Sequence, residues 1–174
     1  YIFVTEWFHN WQINHMERKK IKQIEAQMLI RKPVEEVFNA FIDPSITRHF
    51  WFSNSSGKLE AGKTVIWEWE WYDISTPATV KEIIQDQLII IDWDEPCTTV
   101  EFHFEAFNGQ QTYVIIREYG FHQTGEELIA NMLDSTGGFT TVLDGLKAYL
   151  EHGVELNLVK DKFPKGVAHY VMEE

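Results

Sequence analysis

The 174 residues carry 44% hydrophobic and 24% charged side chains, the composition of one folded domain rather than of a disordered chain. Fifteen basic against 27 acidic residues give a net charge of -12, which opposes binding to nucleic acid or to an anionic membrane surface. A single cysteine excludes an internal disulfide framework and any multi-cysteine zinc site. Apolar runs are too short for a transmembrane helix, and the first 15 residues lack the basic start and apolar core of a secretion signal. The expectation is a soluble, cytoplasmic protein without metal or cofactor.

Residues 1–15 place Val4, Trp7, Phe8 and Trp11 on one helical face. This makes residues 1–20 an amphipathic extension that covers one end of a cavity, joins a homodimer or packs on an outer sheet surface. Residues 21–174 read as a single domain. Ile24, Ala26, Met28 and Ile30 alternate as in a strand. Pro33 then opens a helix in which Val34, Val37, Phe38 and Phe41 share a face, and Asp43-Pro44 stops it. A second short helix leads into Phe50-Trp51-Phe52, and residues 53–57 read as a loop.

From Gly62 the period becomes two. Val65, Trp67, Trp69 and Trp71 point to one side, with Ile66, Glu68, Glu70 and Tyr72 on the other. Strands follow at 78–84, 87–93, 98–107 and 111–120, and Asn108-Gly109 marks a hairpin turn. Val100, Phe102, Phe104 and Ala106 form an apolar stripe, which turns Glu101, His103 and Glu105 toward water. Helical period returns at 126–133 and is expected to break at Asp134-Ser135-Thr136-Gly137-Gly138. Ser135 or Thr136 then caps a last helix carrying Phe139, Val142, Leu143, Leu146 and Leu150, with Gly153 as its stop.

Phosphate-cradling glycine loops, the G-x-S-x-G elbow and H-E-x-x-H are all missing. Glu101-x-His103-x-Glu105 has ligand types on one strand face, but polar-out alternation alone produces it. Asp92, Asp94 and Glu95 read as a solvated turn, and Cys97 has no histidine beside it in sequence. The aromatic residues carry more. A tryptophan-rich strand faces a helix bearing Gly137, Gly138 and Gly145, and two readings of that pattern stand. Either it encloses a cavity lined by Trp51, Trp67, Trp69, Phe102, Phe104 and Phe139, or large and small residues interdigitate in a solid core. The opposite strand register, which turns Glu68, Glu70 and Glu118 inward, is disfavoured because buried carboxylates need partners.

RKPVEEVFNAFIDPSITRHFW resembles the first helix of START-like SRPBCC proteins, in particular of the family named for the activator of the ninety-kilodalton heat-shock chaperone's ATPase. Lys32-Pro33, Val37-Phe38, Ala40-Phe41, Asp43-Pro44 and Trp51-Phe52 fall at that family's motif positions. Gly120-Phe121 and Gly138-Phe139 followed by TVLDGLKAYLEHG match its later elements. The resemblance implies an α+β helix-grip fold, a curved antiparallel sheet wrapped around a long C-terminal helix with a cavity between them. It favours the cavity reading, with a small hydrophobic or aromatic molecule as partner. A cyclase- or hydrolase-like enzyme using Glu118 and His103, or a chaperone ATPase co-activator, are the alternatives it leaves open.

Overall fold

A computed structural model describes residues 22–93 and 97–164 of the chain. The amphipathic extension and the turn residues Asp94 and Glu95 lie outside the described residues. Seven strands form one curved antiparallel sheet in the order β1-β7-β6-β5-β4-β3-β2. Strand β1 (Gln23–Ile30) leads into helix α1 (Val34–Ile42) and the one-turn helix α2 (Pro44–Thr47). Strands β2 (Asn54–Ser55), β3 (Thr64–Trp69), β4 (Ile74–Ile84), β5 (Leu88–Trp93), β6 (Thr98–Phe107) and β7 (Gln111–Tyr119) follow. Helix α3 (Gly125–His152) and a second one-turn helix, α4 (Leu158–Asp161), complete the described chain. The helix-grip architecture inferred from the sequence is the one observed.

The inner face of the sheet is built by alternation. Ile24, Ala26 and Ile30 of β1, Val100, Phe102 and Phe104 of β6, and Val114 and Ile116 of β7 are all buried. Helix α1 lays Phe38 and Phe41 on this face, with ring centroids 5.2 and 5.5 Å from Phe104. Asp43 separates the two helices because Pro44 cannot continue the first one. Its carboxylate accepts from the Ser45 N–H at 2.9 Å and from the Lys58 ammonium. Those bonds hold its pKa down at about 2, against an ordinary 3.8.

Three local expectations are corrected. The 53–57 segment is no simple loop, since Asn54 and Ser55 pair with Glu68 and Trp67 as a short edge strand. Strand β3 ends at Trp69, and a turn with Asp73 at φ 58° carries Trp71 out of the strand. Pro77 is tolerated within β4 because it pairs only with Ile66, ahead of the first β5 partner at Ala78. The largest difference is in α3, which is one continuous helix of 28 residues through Gly137-Gly138. Hydroxyls that compete with helical structure elsewhere are absorbed here. Thr136, Thr140 and Thr141 each donate to the carbonyl four residues back, at 2.7–2.8 Å.

The C-terminal half of α3 is fixed firmly. Phe139, Val142, Leu143 and Leu146 are buried against the sheet. Lys147 donates to the Leu29 carbonyl at 2.7 Å and to Glu151 at 2.6 Å, and Glu151 also accepts from the Arg31 N–H at 2.8 Å. Burial of Glu151 raises its pKa, but the bonds from Lys147 and Arg31 outweigh it and the net shift is downward. Gly153, at φ 66°, ends the helix in the left-handed conformation its sequence position suggested.

Candidate functional site

Beyond Gly153 the chain doubles back as a strap, residues 153–164. It is latched to the β3–β4 turn by one side chain: the Tyr72 hydroxyl donates to the Val159 carbonyl at 2.6 Å and accepts from the Phe163 N–H at 3.1 Å. Between this strap, the middle of α3 and the open end of the sheet lies a cleft of about 270 Å³. Trp51, Trp93, Phe139, Tyr72 and Phe163 give it aromatic walls, and Gly138, Val142 and Val159 add small or aliphatic surface. A Cβ placed on Gly138 meets nothing within 4 Å, so the missing side chain leaves open volume there.

Of the six residues expected to line a cavity, Trp51 and Phe139 line this cleft. Trp67 packs at a tilt behind Trp51, 4.8 Å between centroids, and Phe102 lies 5.8 Å from Trp51 and 6.4 Å from Phe139. Trp69 meets Phe52 edge to face at 6.4 Å, while Phe104 packs among Phe38 and Phe41. Trp67 and Phe102 thus back the wall from within the core, whereas Trp69 and Phe104 pack on other core rings.

Trp93 was not singled out from the sequence, although Ile89 and Ile91 are buried on the same side of β5. It completes the cluster at 5.7 Å from Phe139, 6.0 Å from Trp67 and 6.1 Å from Trp51. Its indole N–H donates to Glu118 Oε1 at 3.2 Å, and the Thr98 hydroxyl donates to the same oxygen at 2.7 Å. Glu118 is a lining residue of the cleft and is 3% exposed. The expectation that it avoids the inner face is therefore wrong. Thr112, Val114 and Ile116 point inward on β7, and parity carries Glu118 with them.

The suggested acid–base pair is not assembled. His103 sits on the outer face of β6, its Nε2 2.7 Å from Glu101 Oε2, while Glu118 faces inward. Glu101 also accepts from the Tyr119 hydroxyl at 2.9 Å. Burial, followed by that hydrogen bond to a carboxylate, raises the Tyr119 pKa. Glu105 is exposed, and among the described residues no cluster of His, Cys, Asp or Glu is arranged to hold a metal ion. The exposed Cys97 has His122 near it, but the imidazole Nε2 lies 3.1 Å from the Cys97 carbonyl oxygen.

A second, larger groove of about 390 Å³ runs between α2 and the start of the strap. Arg48, His49, Glu70, Glu155 and Lys160 line it, and His49 is hydrogen-bonded through Nδ1 to Glu155 and stacked on Tyr149. Its lining mixes these charged side chains with Phe50, Trp71 and Leu156, and the more uniformly aromatic cleft is the better candidate for an apolar ligand. Among the described residues no helix is long and apolar enough to cross a membrane.

A curved antiparallel sheet, a long helix across its concave side and a cleft between them define a START-like protein of the SRPBCC superfamily. The chain belongs to the family described as Activator of Hsp90 ATPase homolog 1-like protein, which matches residues 31–151. Among solved structures, protein SSP2350 from Staphylococcus saprophyticus is 33% identical over 77% of this chain and 95% of that one, with a TM-score of 0.69. The Aha1 dimer from Colwellia psychrerythraea is 20% identical over 75% and 97%, with a TM-score of 0.65. Bacillus halodurans protein BH1534 is 18% identical over 74% and 96%, with a TM-score of 0.63. These last two are similar in fold. No curated protein matches the chain.

Proposed function

We propose that this protein binds a small aromatic or apolar molecule in the cleft between the sheet, α3 and the strap. The observation that carries this reading is the open volume over Gly138, walled by Trp51, Trp93 and Phe139. At about 270 Å³ the cleft lies near the small end of ligand pockets, about 300 Å³, and suits one or two rings better than a long lipid chain. Aromatic walls provide flat apolar contact at little conformational cost, and the core rings behind them hold those walls in place.

Gly138→Leu tests the reading directly. The new side chain enters the cleft without meeting a neighbour at its Cβ, so the fold is retained while the volume is filled. The wild-type protein should quench its tryptophan fluorescence saturably with the uncharged dye N-phenylnaphthylamine, and the variant should not. Saturable quenching that is unchanged in the variant would place the dye elsewhere and refute the proposal.

A further inference from the structure

We infer that the ligand is a protonated amine on an aromatic or apolar body, its ammonium paired with Glu118. This rests on the cleft reading above and adds the chemistry of the occupant. Glu118 is the one carboxylate in the buried core among the described residues. Both donors that reach it, the Trp93 indole and the Thr98 hydroxyl, bond to Oε1. Its Oε2 is buried and has no hydrogen-bond partner among the described residues. A buried carboxylate oxygen left without a donor is costly, and a donor brought by a ligand removes that cost.

The neighbouring charges select a cation rather than a neutral donor. Lys162 and Asp134, the other charged residues of the cleft, stand 4.0 Å from each other and offset one another. Glu118 then leaves the cleft lining with one carboxylate more than it has ammonium groups. Trp51 and Phe139 line the same cleft, and an aromatic face attracts a cation because the ring quadrupole is negative there. Lys162 itself lies 5.4 Å from the Phe163 ring centroid, so one ammonium is already held against an aromatic face at the mouth. The overall charge of -12 draws cations toward the protein before contact.

The test compares phenethylammonium with its uncharged isostere propylbenzene, each displacing N-phenylnaphthylamine from the protein at neutral pH. The wild type should prefer the amine about tenfold or more, the range expected of a charge-assisted hydrogen bond. In Glu118→Gln the preference should fall to near unity while propylbenzene binding is kept. Glu105→Gln, on the exposed outer side of β6, should retain the preference. Equal affinities in the wild type, or a preference that survives Glu118→Gln or vanishes in Glu105→Gln, overturn the assignment of Glu118. Should Glu118→Gln not fold, the wild-type comparison and Glu105→Gln still decide. Failure of the cleft itself looks different: neither compound displaces the dye, or Gly138→Leu binds both as the wild type does.

Discussion

Gly138 and Gly145 lie two turns apart on α3, and their surroundings are opposite. A Cβ on Gly145 comes within 3.1 Å of the Phe50 carbonyl oxygen and 3.2 Å of the Phe50 Cβ, so there the missing side chain is what lets the α2 side of the molecule approach the helix. A Cβ on Gly138 meets nothing. The same residue type thus permits close packing in the C-terminal half of the helix and leaves open volume at its middle. A glycine in a packing helix reports that volume has been removed; only its neighbours decide whether that volume is used.

Four substitutions test how real this division is. Gly145→Leu should cost the most, about 2–3 kcal/mol from overpacking against backbone that cannot retreat. Thermal unfolding measures it, and a neutral result would mean that the Phe50 segment yields. Next comes Glu151→Ala, which leaves Lys147 and the Arg31 N–H short of an acceptor in the same half of the helix. A loss of about 2 kcal/mol at neutral pH is expected. The folded-state pKa of Glu151 is depressed, so its contribution is present above the ordinary carboxylate value of 4.5 and fades as pH falls through the lower folded value. Urea titrations of wild type and variant should therefore converge in acid. If the gap persists there, the glutamate acts through packing and not through its charge.

Gly138→Leu should run the other way, gaining up to about 1 kcal/mol from helix propensity while the dye site is lost. A destabilised variant would show that the open middle is tighter than its geometry indicates. The smallest effect belongs to Tyr72→Phe, which removes the hydroxyl that latches the strap. Global stability should fall by less than about 1 kcal/mol, yet amide exchange at 157–163 should quicken markedly. Unchanged exchange would mean that packing of Phe163 and Val159 holds the strap without the latch.

Most of the sheet was legible because period-two stripes in β1, β3 and β6 contrast with their outward neighbours. The Asn108-Gly109 turn and the Gly153 stop were legible too, since both require positive φ, observed at 52°, 67° and 66°. Continuity of α3 was hidden. Two glycines and three threonines lower local propensity, and only the hydroxyl-to-carbonyl bonds and the burial that begins at Phe139 restore the helix. The site was half legible. Trp51 and Phe139 were found through their aromatic context, whereas Tyr72 and Phe163 reach the cleft by long-range folding that no local period encodes. Glu118 was placed outward because a buried carboxylate is expensive, while the parity of Thr112, Val114 and Ile116, a usable signal, went unread. The expense is what marks the residue.

The sheet's terminal strand β2 is only two residues long, Asn54 and Ser55. Along that border another polypeptide finds almost no backbone ladder to extend, and the Asn54 side chain is already tied to Glu68 Oε2 at 2.7 Å. The aromatic cluster behind β3 is thus shielded from templated strand addition at that border by brevity rather than by a covering layer.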